Sequence, residues 1–118
     1  MNEYNFTVYQ GSEFSRTLIL KEDDGSIINL TDYDCQMQIR KYKDKTSELY
    51  DTLSVENERI KITPSEGKIV FKIPSSISDN YTWVKGYYDL EIIDSNNNIY
   101  RKLQGIITID KNVTNIVD

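Results

Sequence analysis

From Tyr33 to Tyr42 the chain alternates with a period of two: Tyr33, Cys35, Met37 and Ile39 fall on one side, Gln36, Gln38 and Arg40 on the other. Side chains of an extended strand point alternately to its two faces, whereas a helix repeats every 3.6 residues, so the pattern predicts a strand with one dry and one wet face. A dry face has to be covered by another layer. The same period returns from Phe14 to Leu20, where Phe14, Leu18 and Leu20 oppose Ser15, Thr17 and Ile19, with Arg16 the one polar intruder on the apolar face.

Turn chemistry divides the rest into short runs. Lys21 to Ser26 places Asp24-Gly25 between apolar stretches, a hairpin signal that makes Ile27, Ile28 and Leu30 the expected return strand. Leu49 to Leu53 reads as a weak edge strand after the polar loop Lys41 to Ser47. Arg59 to Thr63 and Lys68 to Ile73 are joined by Pro64-Ser65-Glu66-Gly67, a second hairpin. Pro74 and the serines after it hold at most a helical turn within a crossing loop. Gly86 to Ile93 and Ile99 to Ile109 form a third hairpin about Asp94 to Asn98, and Gly105 inside the last strand marks a bulge or a close neighbour.

Seven to nine short strands with no convincing helix predict an all-β fold, an antiparallel two-sheet immunoglobulin-like sandwich. A chain of 118 residues fits a single domain spanning 1–118. The expected core is Phe14, Leu18, Leu20, Leu30, Met37, Ile39, Ile69, Phe71, Tyr88, Leu90, Ile92, Leu103 and Ile107.

The sequence excludes more chemistry than it offers. With no histidine, Ser-His and Cys-His catalysis are impossible and the commonest metal ligand is missing. The single cysteine, Cys35, rules out an internal disulfide and reads as a small buried hydrophobe. Asp89 and Glu91 share a strand face but read as solvated surface. Asp94-x-Asn96-x-Asn98 opens like a calcium loop, yet Ile99 stands where the turn glycine belongs and Gly105 where the bidentate glutamate belongs. No catalytic, metal or cofactor-binding residue is therefore assigned, no cofactor is expected, and the expectation is a protein that is not an enzyme. Fourteen scattered basic residues against nineteen acidic ones give no stripe for nucleic acid. Met1 to Gln10 lacks the basic and apolar regions of a signal peptide and no run is long enough to insert in a membrane, so the expected site of synthesis is the cytoplasm. Four Asn-x-Thr triplets, at Asn5, Asn29, Asn80 and Asn112, then reflect composition rather than glycosylation.

Aromatic content is the positive feature, with nine tyrosines and one tryptophan. Tyr81 and Trp83 fall in a loop, where they either seal an end of the sandwich, stack on a glycan or face a protein partner. The N-terminal run offers a second candidate interface, because Tyr4, Phe6 and Val8 alternate with Asn5 and Thr7 as an edge strand would. That apolar face could equally close its own sandwich.

Gln10-Gly11-Ser12-Glu13-Phe14-Ser15-Arg16-Thr17-Leu18, Asp24-Gly25, Asn29-Leu30-Thr31-Asp32-Tyr33 and Met37-Gln38-Ile39-Arg40 resemble, in this order, small proteins encoded among the tail genes of tailed bacteriophages. So do Gly67-Lys68-Ile69, Trp83, Gly86 to Ile92, and Tyr100 to Gly105 through Val113-Thr114. The pattern is also similar to the N-terminal domain of baseplate upper proteins, and departs from it in the longer segment from Lys43 to Glu58. The resemblance implies an immunoglobulin-like virion structural protein without catalytic residues. It would act as an adaptor in the tail, baseplate or fibre attachment, or as capsid decoration, made in the bacterial host cytoplasm and carried in the virion. Its partners would be other virion proteins, met in multiple copies or as a homo-oligomer; a glycan- or host-surface-binding module is the alternative.

Overall fold

The computed structural model describes residues 3–113. Thr114, which ends both the fourth Asn-x-Thr triplet and the phage-like pattern, lies outside them, as does Met1. Eight strands form: β1 (Phe6–Tyr9), β2 (Phe14–Ile19), β3 (Asp34–Arg40), β4 (Leu49–Ser54), β5 (Ile60–Thr63), β6 (Lys68–Ile73), β7 (Lys85–Ile93) and β8 (Ile99–Asp110). One helical turn, α1 (Ser75–Ser78), follows Pro74.

Five strands in the order β1-β8-β7-β3-β4 make one sheet and β2-β6-β5 make the other. In immunoglobulin lettering β2, β6 and β5 take the places of B, E and D, and β3, β7 and β8 those of C, F and G, with β4 as C′. The fold is thus an immunoglobulin-like sandwich. It is not wholly antiparallel, because β1 runs parallel to β8, Phe6 beside Ile107 through Tyr9 beside Asp110. The reason lies in the turn after β1, where Gly11 adopts φ 80° and the chain crosses from one sheet to the other before β2 begins. Ser78 fastens that turn: its hydroxyl accepts from the Gly11 N–H at 3.0 Å and donates to the Ser12 carbonyl at 2.9 Å.

The dry faces meet as the period-two pattern requires. All thirteen expected core residues are buried except Leu18, which is half-buried, and Val8, Leu53, Ile60, Ile73, Tyr81 and Ile109 join them. Burying each large apolar side chain stabilises by about 1.5–3 kcal/mol. Arg16, the intruder, lays its guanidinium over the Phe14 ring at 4.4 Å and the Phe6 ring at 5.6 Å, covering the seam between the sheets.

One expected hairpin is cut short. After the Asp24-Gly25 turn only Lys21 pairs with Ile27, and Ile28 and Leu30 belong to no strand. The segment instead crosses to the other sheet to begin β3; its Leu30 N–H donates to the Pro64 carbonyl and its Leu30 side chain is buried in the core. The hairpins β5-β6 and β7-β8 form as expected.

Gly105 turns out to answer a close neighbour. A Cβ there would collide with the Tyr4 carbonyl, which accepts a hydrogen bond from the Tyr88 hydroxyl at 2.7 Å. With that carbonyl diverted, the Asn5 side chain takes the Ile106 N–H at 2.9 Å. The start of β1 is therefore clamped by Tyr88, Gly105 and Ile106, which lie 84 or more positions away along the chain. Gly105→Ala is expected to lower stability by about 1–3 kcal/mol as β1 is pushed off β8; a denaturant curve superimposable on the parent's would show that no such clamp operates.

Candidate functional site

The four edges of the sandwich differ in how they are guarded. Unpaired edge strands are commonly protected from chance pairing by charges, proline, bulges or inward-pointing ionised groups. On β4 a register shift between Ile39 and Arg40 breaks the ladder and Asp51 points inward. Strand β5 carries Lys61 and ends at Pro64, and β2 carries Arg16 between Glu13 and Lys21. Strand β1 has none of these, and residues 4–12 hold no charge at all.

The parallel ladder fixes which groups β1 presents. Tyr4 donates its N–H to Gln104 and Gln10 donates to Asp110, so the even-numbered residues bond inward to β8. The N–H groups of Thr7 and Tyr9 and the carbonyls of Asn5 and Thr7 point outward, and among the described residues no strand pairs with them. The Tyr9 carbonyl already accepts from Ser12.

The sequence-chosen interface residues separate on this geometry. Tyr4, 49% exposed, flanks the open edge. Phe6 is half-buried against Phe14, Phe71 and Tyr88, and Val8 is 0% exposed, so the apolar face of the segment closes its own sandwich while the backbone edge stays open. The outward residues are Thr7 and Tyr9, which an alternation argument aimed at apolar side chains passes over.

Of the three readings open to Tyr81 and Trp83, the packing of the rings fits the seal. Tyr81 is 7% exposed, and Trp83 is half-buried with its ring stacked on Tyr50 at 4.9 Å and tilted against Tyr81 at 4.7 Å. Gly86 lies beneath them because a Cβ would meet Ile39, Tyr50 and Trp83. These aromatics seal the sandwich.

Beneath the seal Asp51 receives a fork from Arg59, Nη1 to Oδ1 at 2.9 Å and Nη2 to Oδ2 at 2.8 Å, together with the Tyr81 hydroxyl. Arg59 also donates to the Thr52 carbonyl at 3.3 Å, so one ion pair ties β4 to the strand that follows it and to the loop before β7. Burial by itself would raise the Asp51 pKa; the hydrogen bonds from Arg59 and Tyr81 and the nearby positive charge outweigh it and hold the carboxyl below the usual carboxylate range. Burial pushes the Tyr81 hydroxyl up, and Asp51 adds to the effect, so the phenol stays a donor.

The remaining polar groups are surface chemistry. Asp94 caps its turn by accepting from the Asn96 and Asn98 N–H groups, both at 2.9 Å. Asp89 pairs with Arg101 at 3.4 Å on the wet face, beside a concavity of about 490 Å³ walled by Tyr42, Lys43 and Lys45. Cys35 is buried in the core, and burial pushes its thiol up to about 12, which leaves it protonated and inert. Among the described residues no group of three or more acidic or cysteine side chains could hold a metal ion, and no helix is long and apolar enough to cross a membrane.

No protein-family model matches the chain, and neither does any curated protein. The open edge therefore has to be read on its own geometry.

Because Asp51 titrates lower in the folded chain than in the unfolded one, its contribution is fully present above the unfolded value and is lost as pH falls through the folded one. Stability is expected to drop below about pH 4, and Asp51→Asn should flatten that drop in chemical denaturation at stepped pH. Asp51→Ala, which strands Arg59 without its partner, should cost about 3–5 kcal/mol at neutral pH. A loss near zero would mean that the pair holds nothing together.

Proposed function

We propose that the chain is a non-enzymatic structural adaptor of a tailed-bacteriophage particle, joining other virion proteins in the tail, baseplate or fibre attachment by strand addition along β1. The observation that carries this reading is the contrast among the edges: three are guarded and the fourth is uncharged, with outward N–H and C=O groups that no strand among the described residues pairs. Strand addition takes affinity from main-chain hydrogen bonds, so it needs neither a pocket nor a reactive group. The ordered resemblance to phage tail-gene proteins supplies the setting, in which repeated copies on a symmetric particle make weak contacts sufficient.

The glycan alternative is not favoured by the same features, since the one indole ring is packed between Tyr50 and Tyr81 rather than offered to a sugar.

Thr7→Pro separates assembly from folding. The Thr7 N–H points away from β8, so proline there removes no bond of the sandwich, yet it removes a donor from the open edge. The expected result is a variant within about 1 kcal/mol of the parent in stability that is lost from purified particles when they are analysed by mass spectrometry. Particles that contain none of the parent chain, or that take up the variant in equal amount, would overturn the reading.

A further inference from the structure

We infer that the strand added to β1 is the β1 of a second copy, antiparallel about a two-fold axis at Thr7, joining two five-stranded sheets into one. The inference rests on the proposed use of this edge and adds the identity of its occupant. A two-fold axis sets every residue i opposite residue 14 − i of the other copy, so an edge with a charge near its centre faces its own charge. On β5 that would bring Lys61 close to Lys61. On β1 the facing pairs are Thr7 with Thr7, Asn5 with Tyr9, and Glu3 with Gly11, and no like charges meet.

The polar groups match in the same register. Thr7 and Tyr9 turn their N–H groups outward and Asn5 and Thr7 their carbonyls, and in an antiparallel ladder these residues form the hydrogen-bonded pairs. Thr7 exchanges two bonds with its copy, and the Tyr9 N–H of each copy reaches the Asn5 carbonyl of the other. Phe6 and Val8 stay turned to their own core, so pairing exposes nothing. Asn5 also keeps its side-chain bond to Ile106, which ties the start of the strand to β8.

An edge joint of some five residues a side buries far less than the roughly 1,200 Å² of lasting complexes, so the dimer is weak in solution. Sedimentation velocity over protein concentrations rising to roughly 1 mM is the direct test, since association of this strength first shows there. The parent should associate, and Thr7→Pro should weaken association by about tenfold or more through the missing donors. Thr7→Lys, at an exposed position, places two cations across the axis; it should weaken association at low salt and recover in part at high salt. Because Cys35 is buried, Thr7→Cys carries one accessible thiol and should oxidise to a disulfide dimer much faster than Thr17→Cys on the β2 edge.

A parent that stays monomeric throughout, association indifferent to both Thr7 variants, or equal oxidation rates at positions 7 and 17 would each overturn the second copy as occupant. Strand addition to a different virion protein is judged separately, by whether the particle takes up Thr7→Pro.

Discussion

An open sandwich of two sheets has four edge strands, and the outer backbone of each carries N–H and C=O groups that its own sheet cannot satisfy. This obligation follows from the same alternation that makes the fold, because residues that send side chains to the core must send their backbone groups sideways. Much of what is particular to this chain can be traced to how each edge meets it. The broken register on β4, the inward Asp51, Lys61 with Pro64 on β5, and Arg16 laid over two phenylalanines on β2 are four physical answers to one problem. Leaving β1 unanswered is therefore informative in a way that an exposed tyrosine is not.

Asp51 serves two ends at once. Pointing a carboxylate inward on an edge strand discourages pairing, but it also buries a charge, and a buried charge without a partner destabilises strongly. Arg59 and Tyr81 resolve the conflict with a fork and a phenolic hydroxyl, and in doing so they tie β4 to the turn just after it and to a loop 30 residues away. Trp83 and Tyr50 then roof the group, which is why a loop rich in aromatics is closed rather than adhesive.

The strands were legible because burial on one face writes itself into sequence with a period of two, as over Cys35, Met37 and Ile39. The hairpins at Gly67 and Asp94 were legible because turn residues act locally. What local chemistry does not encode is which sheet a strand joins. The parallel seating of β1 against β8 and the diversion of Ile27 to Leu30 toward β3 depend on contacts across most of the chain. The role of Tyr81 stayed open for the same reason: its partner Asp51 lies 30 residues away, and nothing near either one announces the other. Gly105 showed that something came close, and the Tyr4 carbonyl was the something.

The parallel pairing of the first strand with the last also sets how the molecule answers tension. Because β1 and β8 run the same way, the chain enters this ladder at one end, near Tyr4 and Gln104, and leaves it at the other, near Gln10 and Asp110. Pulling the two ends of the described chain apart slides one strand along the other in shear, so the bonds between them must yield together instead of unzipping one by one. The pleat that carries the open edge is thereby also the mechanical clasp of the fold, and any partner strand laid against β1 would share the same line of force.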